Sequence, residues 1–326
     1  MRKLVIREQV WPTKGSFTIS RGSRTEVRTV IVEVFDGDTK GHAECVPYAR
    51  YDETVASVIA QLNAIRPQIE AGADQQGLLS CLPGGAARNG IDSALWDLQA
   101  KLEGCSAADL LSLPCPPSVI TAYTLSLDTP ENMARKAKAE AARPLLKIKV
   151  GTNDDVARVA AVRRSAPDAD LIVDANEGWT DKNVAANLRA MADLGVAMVE
   201  QPVPAGADNV LGDIAHAVPI CADEACHTSE GLQALVGKYD MINIKIDKTG
   251  GLTGAKDLLA KAKALELEIM VGCMLGSSLA MAPAYMLAGS AKFVDLDGPL
   301  LLAADFEPGI RYQGSVMYRP ASRLWG

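Results

Sequence analysis

A chain of 326 residues corresponds to about two domains at the usual size of ~150 residues each. Its 48% hydrophobic and 22% charged residues suffice for a well-packed interior, and a formal net charge of −7 argues against nucleic acid as a partner, because phosphate binding needs a basic surface. The segment Met1-Arg2-Lys3-Leu4-Val5-Ile6-Arg7-Glu8 lacks the apolar centre of a signal peptide, and no apolar run approaches the ~20 residues of a membrane span, which predicts a cytoplasmic protein.

In chain order, residues 1–48 read as strands. Residues 28–35 are rich in β-branched side chains, Asp36-Gly37-Asp38 is a turn, and 41–46 resumes an extended segment. A polar loop is expected over 16–26, carrying Arg21-Gly22-Ser23-Arg24. Helical periodicity follows over 53–69 and again over 86–102, where Ile91, Ala94, Leu95 and Leu98 fall on one face. The run Pro83-Gly84-Gly85-Ala86-Ala87-Arg88 has neither the Lys-Ser/Thr of a phosphate loop nor GxGxxG, so it reads as a helix entry. Together these make an α+β unit over 1–115, closed by the linker Leu113-Pro114-Cys115-Pro116-Pro117-Ser118.

After the linker a period appears. Strand-like runs recur at 120–127, 145–150, 170–176, 198–202, 220–224, 241–246, 268–274 and 293–298, and each but the last is followed by an Ala/Leu-rich helical stretch. Eight such strands over 118–299 predict a modified TIM barrel, (β/α)7β, with the α+β unit as a cap and the tail 300–326 packing back onto that cap.

In such a barrel the active site forms at the C-terminal ends of the strands. There the second strand supplies Lys147 and Lys149, which share a face because residues i and i+2 point the same way. The third carries Asp174 and Asn176, the fourth ends in Glu200-Gln201-Pro202, the fifth in Asp223-Glu224, and the sixth alternates Asn243 and Lys245 against isoleucines. The eighth presents Asp295 and Asp297. Taken singly, each has a plain structural reading: an exposed lysine edge, Asp174 as a helix cap, Glu200 in a buried ion pair, Asp223 in a loop, Lys245 snorkelling from a strand end. Taken together, Asp174, Glu200 and Asp223 on adjacent strands would converge unpaired and repel one another unless a cation were present. Hard oxygen donors select Mg²⁺, one per subunit, with Mn²⁺ as the alternative. The seven scattered cysteines lack CxxC spacing and the three histidines (His42, His216, His227) form no HExxH, so zinc chemistry and a Ser/His/Asp triad are poorly supported.

Strands two and six of eight face each other across a barrel. Lys149 and Lys245 would therefore flank a substrate held on the cation, one removing a carbon-bound proton and the other returning it to the opposite side. For Lys149 to act as a base near neutrality its pKa must fall from ~10.4 by roughly three units, and the dication and the adjacent Lys147 push in that direction.

Over essentially its whole length the chain resembles enolase-superfamily enzymes of the muconate-lactonising branch, on Lys147-Ile148-Lys149, Asp174-Ala175-Asn176, Glu200-Gln201-Pro202, Ala222-Asp223-Glu224 and Asn243-Ile244-Lys245. A lysine base with a Mg²⁺-stabilised enediolate is known chemistry of that superfamily. The resemblance implies a cap whose loops close the barrel and choose the substrate, with Lys147 and Asn176 beside it. Asp295-Leu296-Asp297 resembles the Asp-x-Asp of the dipeptide epimerases, where the pair holds the substrate α-ammonium; the alternative is that one aspartate caps the turn before Pro299. The implied activity is epimerisation at the Cα of the C-terminal residue of a dipeptide, L-Ala-D-Glu to L-Ala-L-Glu. Arg24 is the expected partner of the glutamate side chain, with Arg21 and Arg50 as alternatives. Ala225 departs from the commoner serine. Competing readings are an N-acylamino acid racemase, a cycloisomerase, or a silent metal-binding barrel, which should have lost Lys149 or Lys245. A small-molecule dipeptide is the expected partner, with a homo-oligomer compatible and neither membrane nor nucleic acid expected.

Overall fold

The computed structural model describes residues 2–326. An antiparallel sheet of β1 (Lys3–Ile19), β2 (Gly22–Asp36) and β3 (Thr39–Cys45) opens the chain. The expected polar loop over 16–26 is instead the tip of a long hairpin: after a register shift between Pro12 and Phe17, pairing resumes at Phe17↔Arg24 and ends at Ile19↔Gly22. Its polar composition misled because a hairpin with mostly polar, exposed side chains still satisfies its backbone across the ladder. Behind this sheet packs the helix Ala86–Glu103, and Gly41 permits the contact, since a Cβ there would lie 2.1 Å from the Ala94 carbonyl oxygen.

The short β4 (Ser118–Ile120) does not enter the barrel; it pairs with β14 (Val316–Tyr318), which pairs with β13 (Tyr312–Gln313). The barrel strands are β5 (Tyr123–Leu125), β6 (Leu145–Lys149), β7 (Asp170–Asp174), β8 (Val196–Glu200), β9 (Ile220–Ala222), β10 (Met241–Ile244), β11 (Glu268–Gly272) and β12 (Phe293–Asp295), parallel and in sequence order. The ends are stitched by Ala122 N–H donating to the Val294 carbonyl at 2.8 Å. Helices follow most strands, but β8 and β9 are followed only by 3-10 segments, Asn209–Asp213 and Leu232–Leu235. The predicted helices fail there because Pro204, Gly206, Gly212 and Pro219 break the first segment and Gly231 and Gly237 the second.

Each barrel strand divides its residues by parity. Leu146, Ile148, Val173, Val199, Ile220, Ile242 and Ile244 join the large outer core. Leu145, Ile172, Met198, Cys221, Met241 and Met270 form a separate apolar layer inside the barrel. The inward positions beyond that layer are Lys147, Asp174, Glu200, Asp223 and Asn243, so the interior is apolar at the bottom and charged at the top. The tail returns to the cap, where Trp325 Nε1 donates to Ser93 O at 3.2 Å and Gly326 N–H to Asp97 Oδ1 at 2.7 Å. No helix among the described residues is long and apolar enough to cross a membrane.

Candidate active site

Register brings the candidate residues to one level: Lys149 is opposite Asp174 across β6 and β7, and Asp174 opposite Glu200 across β7 and β8. The carboxylates do not meet unpaired, as their spacing alone suggested. Asp174 lies 2.5 Å from Lys149 Nζ and 3.2 Å from Lys147 Nζ. Glu200 lies 2.6 Å from Lys147, and Asp223 lies 2.6 Å from Lys245 and 2.7 Å from Lys248. Consequently no group of three or more His, Cys, Asp and Glu among the described residues is drawn together as a ready ligand cluster.

Charge sharing dictates the protonation. Burial pushes the Lys245 ammonium down, but Asp223 and Glu200 outweigh it and hold Lys245 well above the usual lysine range. Lys147 is likewise held up, by Asp295, Glu200 and Asp174 against its burial. Both lysines serve as counter-charges to the carboxylates around them. Burial and the neighbouring Asp174 push Glu200 up to about 7.

The donor set nevertheless fits a hard dication. Among the described residues, the buried oxygens Asn176 Oδ1, Glu200 Oε2, Glu224 Oε2, Asn243 Oδ1 and Asp295 Oδ1 have no hydrogen-bond partner, and all belong to this mouth. Glu200 Oε2 is near Lys147 without hydrogen-bond geometry. Orphaned acceptors in a buried site are costly, and a hard cation would satisfy Glu200 Oε2, with Asp174 and Asp223 as carboxylates on the two neighbouring strands.

The eighth-strand aspartates divide their work. Asp295 Oδ2 accepts from Lys147 at 2.7 Å. Asp297 does not cap the following turn; its Oδ2 accepts from Thr124 N–H at 2.6 Å, joining β12 to β5. Burial, with Asp295 beside it, pushes Asp297 up to about 7. Among the arginines, Arg21 pairs with Glu224 at 2.7 Å and Arg50 with Glu177 at 2.7 Å. Arg24 has no acidic partner among the described residues, lies over the Tyr48 ring at 5.9 Å, and lines the same cavity as Lys149, Lys245, Asn176 and Asp223.

Residues to which no motif in the chain gave a role also shape the site. Lys248, fully buried, donates to Asp223 Oδ1 (2.7 Å), Asp223 O (2.6 Å) and Asn243 O (3.0 Å), using all three protons. Gln201 Oε1 accepts from Asp223 N–H at 2.9 Å and Ala225 N–H at 3.0 Å, so the alanine at 225 is held through its backbone. Tyr51 reaches from the cap into the cavity. The only signal in the chain for Lys248 was its place three residues after Lys245, which a solvated helix lysine would share.

Comparison with known proteins gives a consistent answer. Residues 131–309 match the enolase C-terminal domain-like family and 1–112 the mandelate racemase / muconate lactonizing enzyme N-terminal domain. The L-Ala-D/L-Glu epimerase of Escherichia coli (strain K12) is 48% identical over 96% of this chain and 98% of its own length. An N-acetyl-D-glutamate racemase of Pseudoalteromonas sp. is 44% identical over 91% of this chain and 95% of its own. An enolase family member from Agrobacterium tumefaciens with homology to dipeptide epimerases, solved with sodium and L-Ala-L-Glu, superposes with TM-score 0.98 at 50% identity over 100% of both chains. The dipeptide epimerase of Cytophaga hutchinsonii, solved with Mg and D-Ala-L-Val, gives 0.92 at 26% identity over 98% of this chain and 94% of that one. Two opposed lysines flanking carboxylates at a capped barrel mouth, together with these matches along the chain, place the protein in the mandelate racemase / muconate lactonizing enzyme family of the enolase superfamily, among its epimerases and racemases.

Proposed function

We propose that this chain epimerises the C-terminal residue of a dipeptide, interconverting L-Ala-D-Glu and L-Ala-L-Glu by 1,1-proton transfer. The observation that carries the reading is the placement of Lys149 and Lys245 at the ends of β6 and β10, four strands apart among eight, with the three carboxylate-bearing strands between them. One lysine removes the Cα proton and the other delivers a proton to the opposite face.

Asp174, Glu200 and Asp223 would hold one Mg²⁺, or Mn²⁺, whose charge stabilises the negative charge developing on the substrate carboxylate. Gln201 and Lys248 fix the Asp223 backbone and carboxylate. Lys147 and Asn176 contribute a cation and an amide beside the substrate carboxylate. Asp295, with one oxygen unpartnered among the described residues, and Asp297 meet the α-ammonium. Arg24, the cavity arginine without an acidic partner, meets the glutamate side chain bidentately. Seven free thiols suit a reducing compartment, the cytoplasm.

The test is incubation in D₂O with Mg²⁺ and, in separate arms, L-Ala-D-Glu, L-Ala-L-Glu and N-acetyl-D-glutamate. Deuterium should enter Cα of both dipeptides as they interconvert, with the N-acetyl compound slower because it offers no ammonium to Asp295 and Asp297. Turnover of N-acetyl-D-glutamate alone would replace the dipeptide reading with N-acylamino acid racemisation. No exchange in any arm would defeat both.

A further inference from the structure

Glu177 does not line the cavity that holds Lys149 and Lys245, yet it ties both capping loops to the barrel. Its Oε1 accepts from Ala205 N–H at 2.8 Å and Arg50 Nη2 at 2.8 Å, and its Oε2 from Arg50 Nε at 2.7 Å and Arg21 Nη1 at 3.2 Å. Arg50 belongs to the 3-10 turn Ala49–Tyr51 that follows β3, and Arg21 to the β1–β2 hairpin tip. Arg21 also donates to Asn176 O at 2.9 Å and to the Tyr48 hydroxyl at 3.0 Å. That same Tyr48 ring lies under Arg24. A chain of contacts thus runs from Glu177 through Arg21 and Tyr48 to Arg24.

The backbone that presents Glu177 is strained. Asn176 and Glu177 have φ of +46° and +66°, a left-handed conformation that asparagine tolerates and glutamate rarely adopts. It is held by Glu177 N–H donating to Gln201 O at 2.9 Å, and by Gly178, where a Cβ would sit 2.5 Å from Gly151 Cα. Strain that the surroundings hold in place is a reason to look for function. Burial pushes the Glu177 carboxyl up, but the Arg50 hydrogen bonds and the Ala205 amide outweigh it and keep it below the usual range.

We propose that Glu177 is a positioning residue that latches both capping loops over the barrel mouth, holding Arg50 bidentately and sharing Arg21 with Glu224, and so leaves Arg24 to meet the substrate side chain. The latch stands on geometry alone; its effect on substrate rests on the acidic-dipeptide reading. With a bidentate charge-assisted pair removed, Glu177→Ala should raise KM for L-Ala-L-Glu about tenfold or more while kcat stays within about threefold. Trypsin should cut the native variant at Arg21, Arg24 or Arg50 about tenfold faster than wild type, because bonds that hold the loops closed are gone. Glu177→Gln keeps an acceptor for Ala205 N–H and serves if the alanine variant misfolds; it should fall between the two.

Cleavage at the wild-type rate overturns the latch. Faster cleavage with unchanged KM, or a fall in kcat at unchanged KM, overturns the positioning role. Faster cleavage in a protein whose wild type turns over no dipeptide leaves the latch standing and defeats the functional reading instead.

Discussion

At the scale of single residues, the site is an exercise in charge balance. Four buried ammoniums, Lys147, Lys149, Lys245 and Lys248, meet four carboxylates, Asp174, Glu200, Asp223 and Asp295, and the partners are shared, Asp174 between Lys147 and Lys149 and Asp223 between Lys245 and Lys248. Lys149 and Lys245 reach those carboxylates from opposite sides of the barrel, and in the proposed reaction each would address one face of the substrate Cα. Lys149→Ala and Lys245→Ala should therefore each reduce Cα exchange by ~10²–10⁴-fold, starting from opposite epimers. Deuterium incorporation from each pure diastereomer reads this directly. If both variants lose exchange from the same epimer and keep it from the other, the two-sided arrangement is wrong. Lys248 differs in kind: it donates to Asp223 and does not line the cavity that Lys245 lines, so in the proposed reaction it would orient Asp223 and leave proton transfer to Lys245.

At the scale of elements, the close crossing of β3 and the helix Ala86–Glu103 sets the packing inside the cap. Gly41 lets the strand approach so closely that an added Cβ would meet Ala94 O at 2.1 Å, Leu98 N at 2.5 Å and Leu98 Cβ at 2.6 Å. Two of those three atoms are helix backbone, which cannot swing aside. Gly41→Ala should therefore destabilise the protein by about 3 kcal/mol through overpacking. The readout is the thermal midpoint, expected to fall by about 6 °C or more. A midpoint within a degree of wild type would mean that strand and helix separate without cost.

Across the whole molecule, cap and barrel meet through buried acids. Glu44 of β3 accepts from Ser277 N–H at 2.9 Å, Ser277 Oγ at 2.6 Å and Trp11 Nε1 at 3.1 Å, and burial pushes it up to about 7 in spite of those bonds. Asp247, after β10, accepts from Val46 N–H at 2.9 Å and Asn89 Nδ2 at 2.7 Å, and burial pushes it up to about 7 as well. Both folded values lie above the unfolded ones, so the native chain binds more protons than the unfolded chain between about pH 4 and pH 7. Their contribution is fully present at the acid end of that window and is lost as pH rises through about 7. The unfolding free energy these two groups contribute should accordingly decline from about pH 4 to about pH 7, by on the order of 3 kcal/mol per group, with the thermal midpoint following, and Glu44→Gln should flatten that decline. An identical slope in the variant would remove Glu44 as a source.

The alternation of the barrel strands was legible in the chain because a strand repeats every two residues and needs no distant partner to do so. Lys147 and Lys149, Asp174, Glu200, Asp223, Asn243 and Lys245 all fall at inward positions for that local reason, with Leu145, Ile172, Met198, Cys221 and Met241 beneath them. The parallel barrel and its cap followed from the order of the elements. What the tertiary structure alone decided is which charged groups meet across loops. Arg50 finds Glu177 127 positions away, Asp297 finds the Thr124 amide 173 positions away, and Lys248 turns back onto Asp223 rather than outward to water. The 16–26 hairpin and the 3-10 segments after β8 and β9 belong with these. No local periodicity encodes such choices, because each depends on where two separately folded segments are brought together and on what burial then demands of their charges.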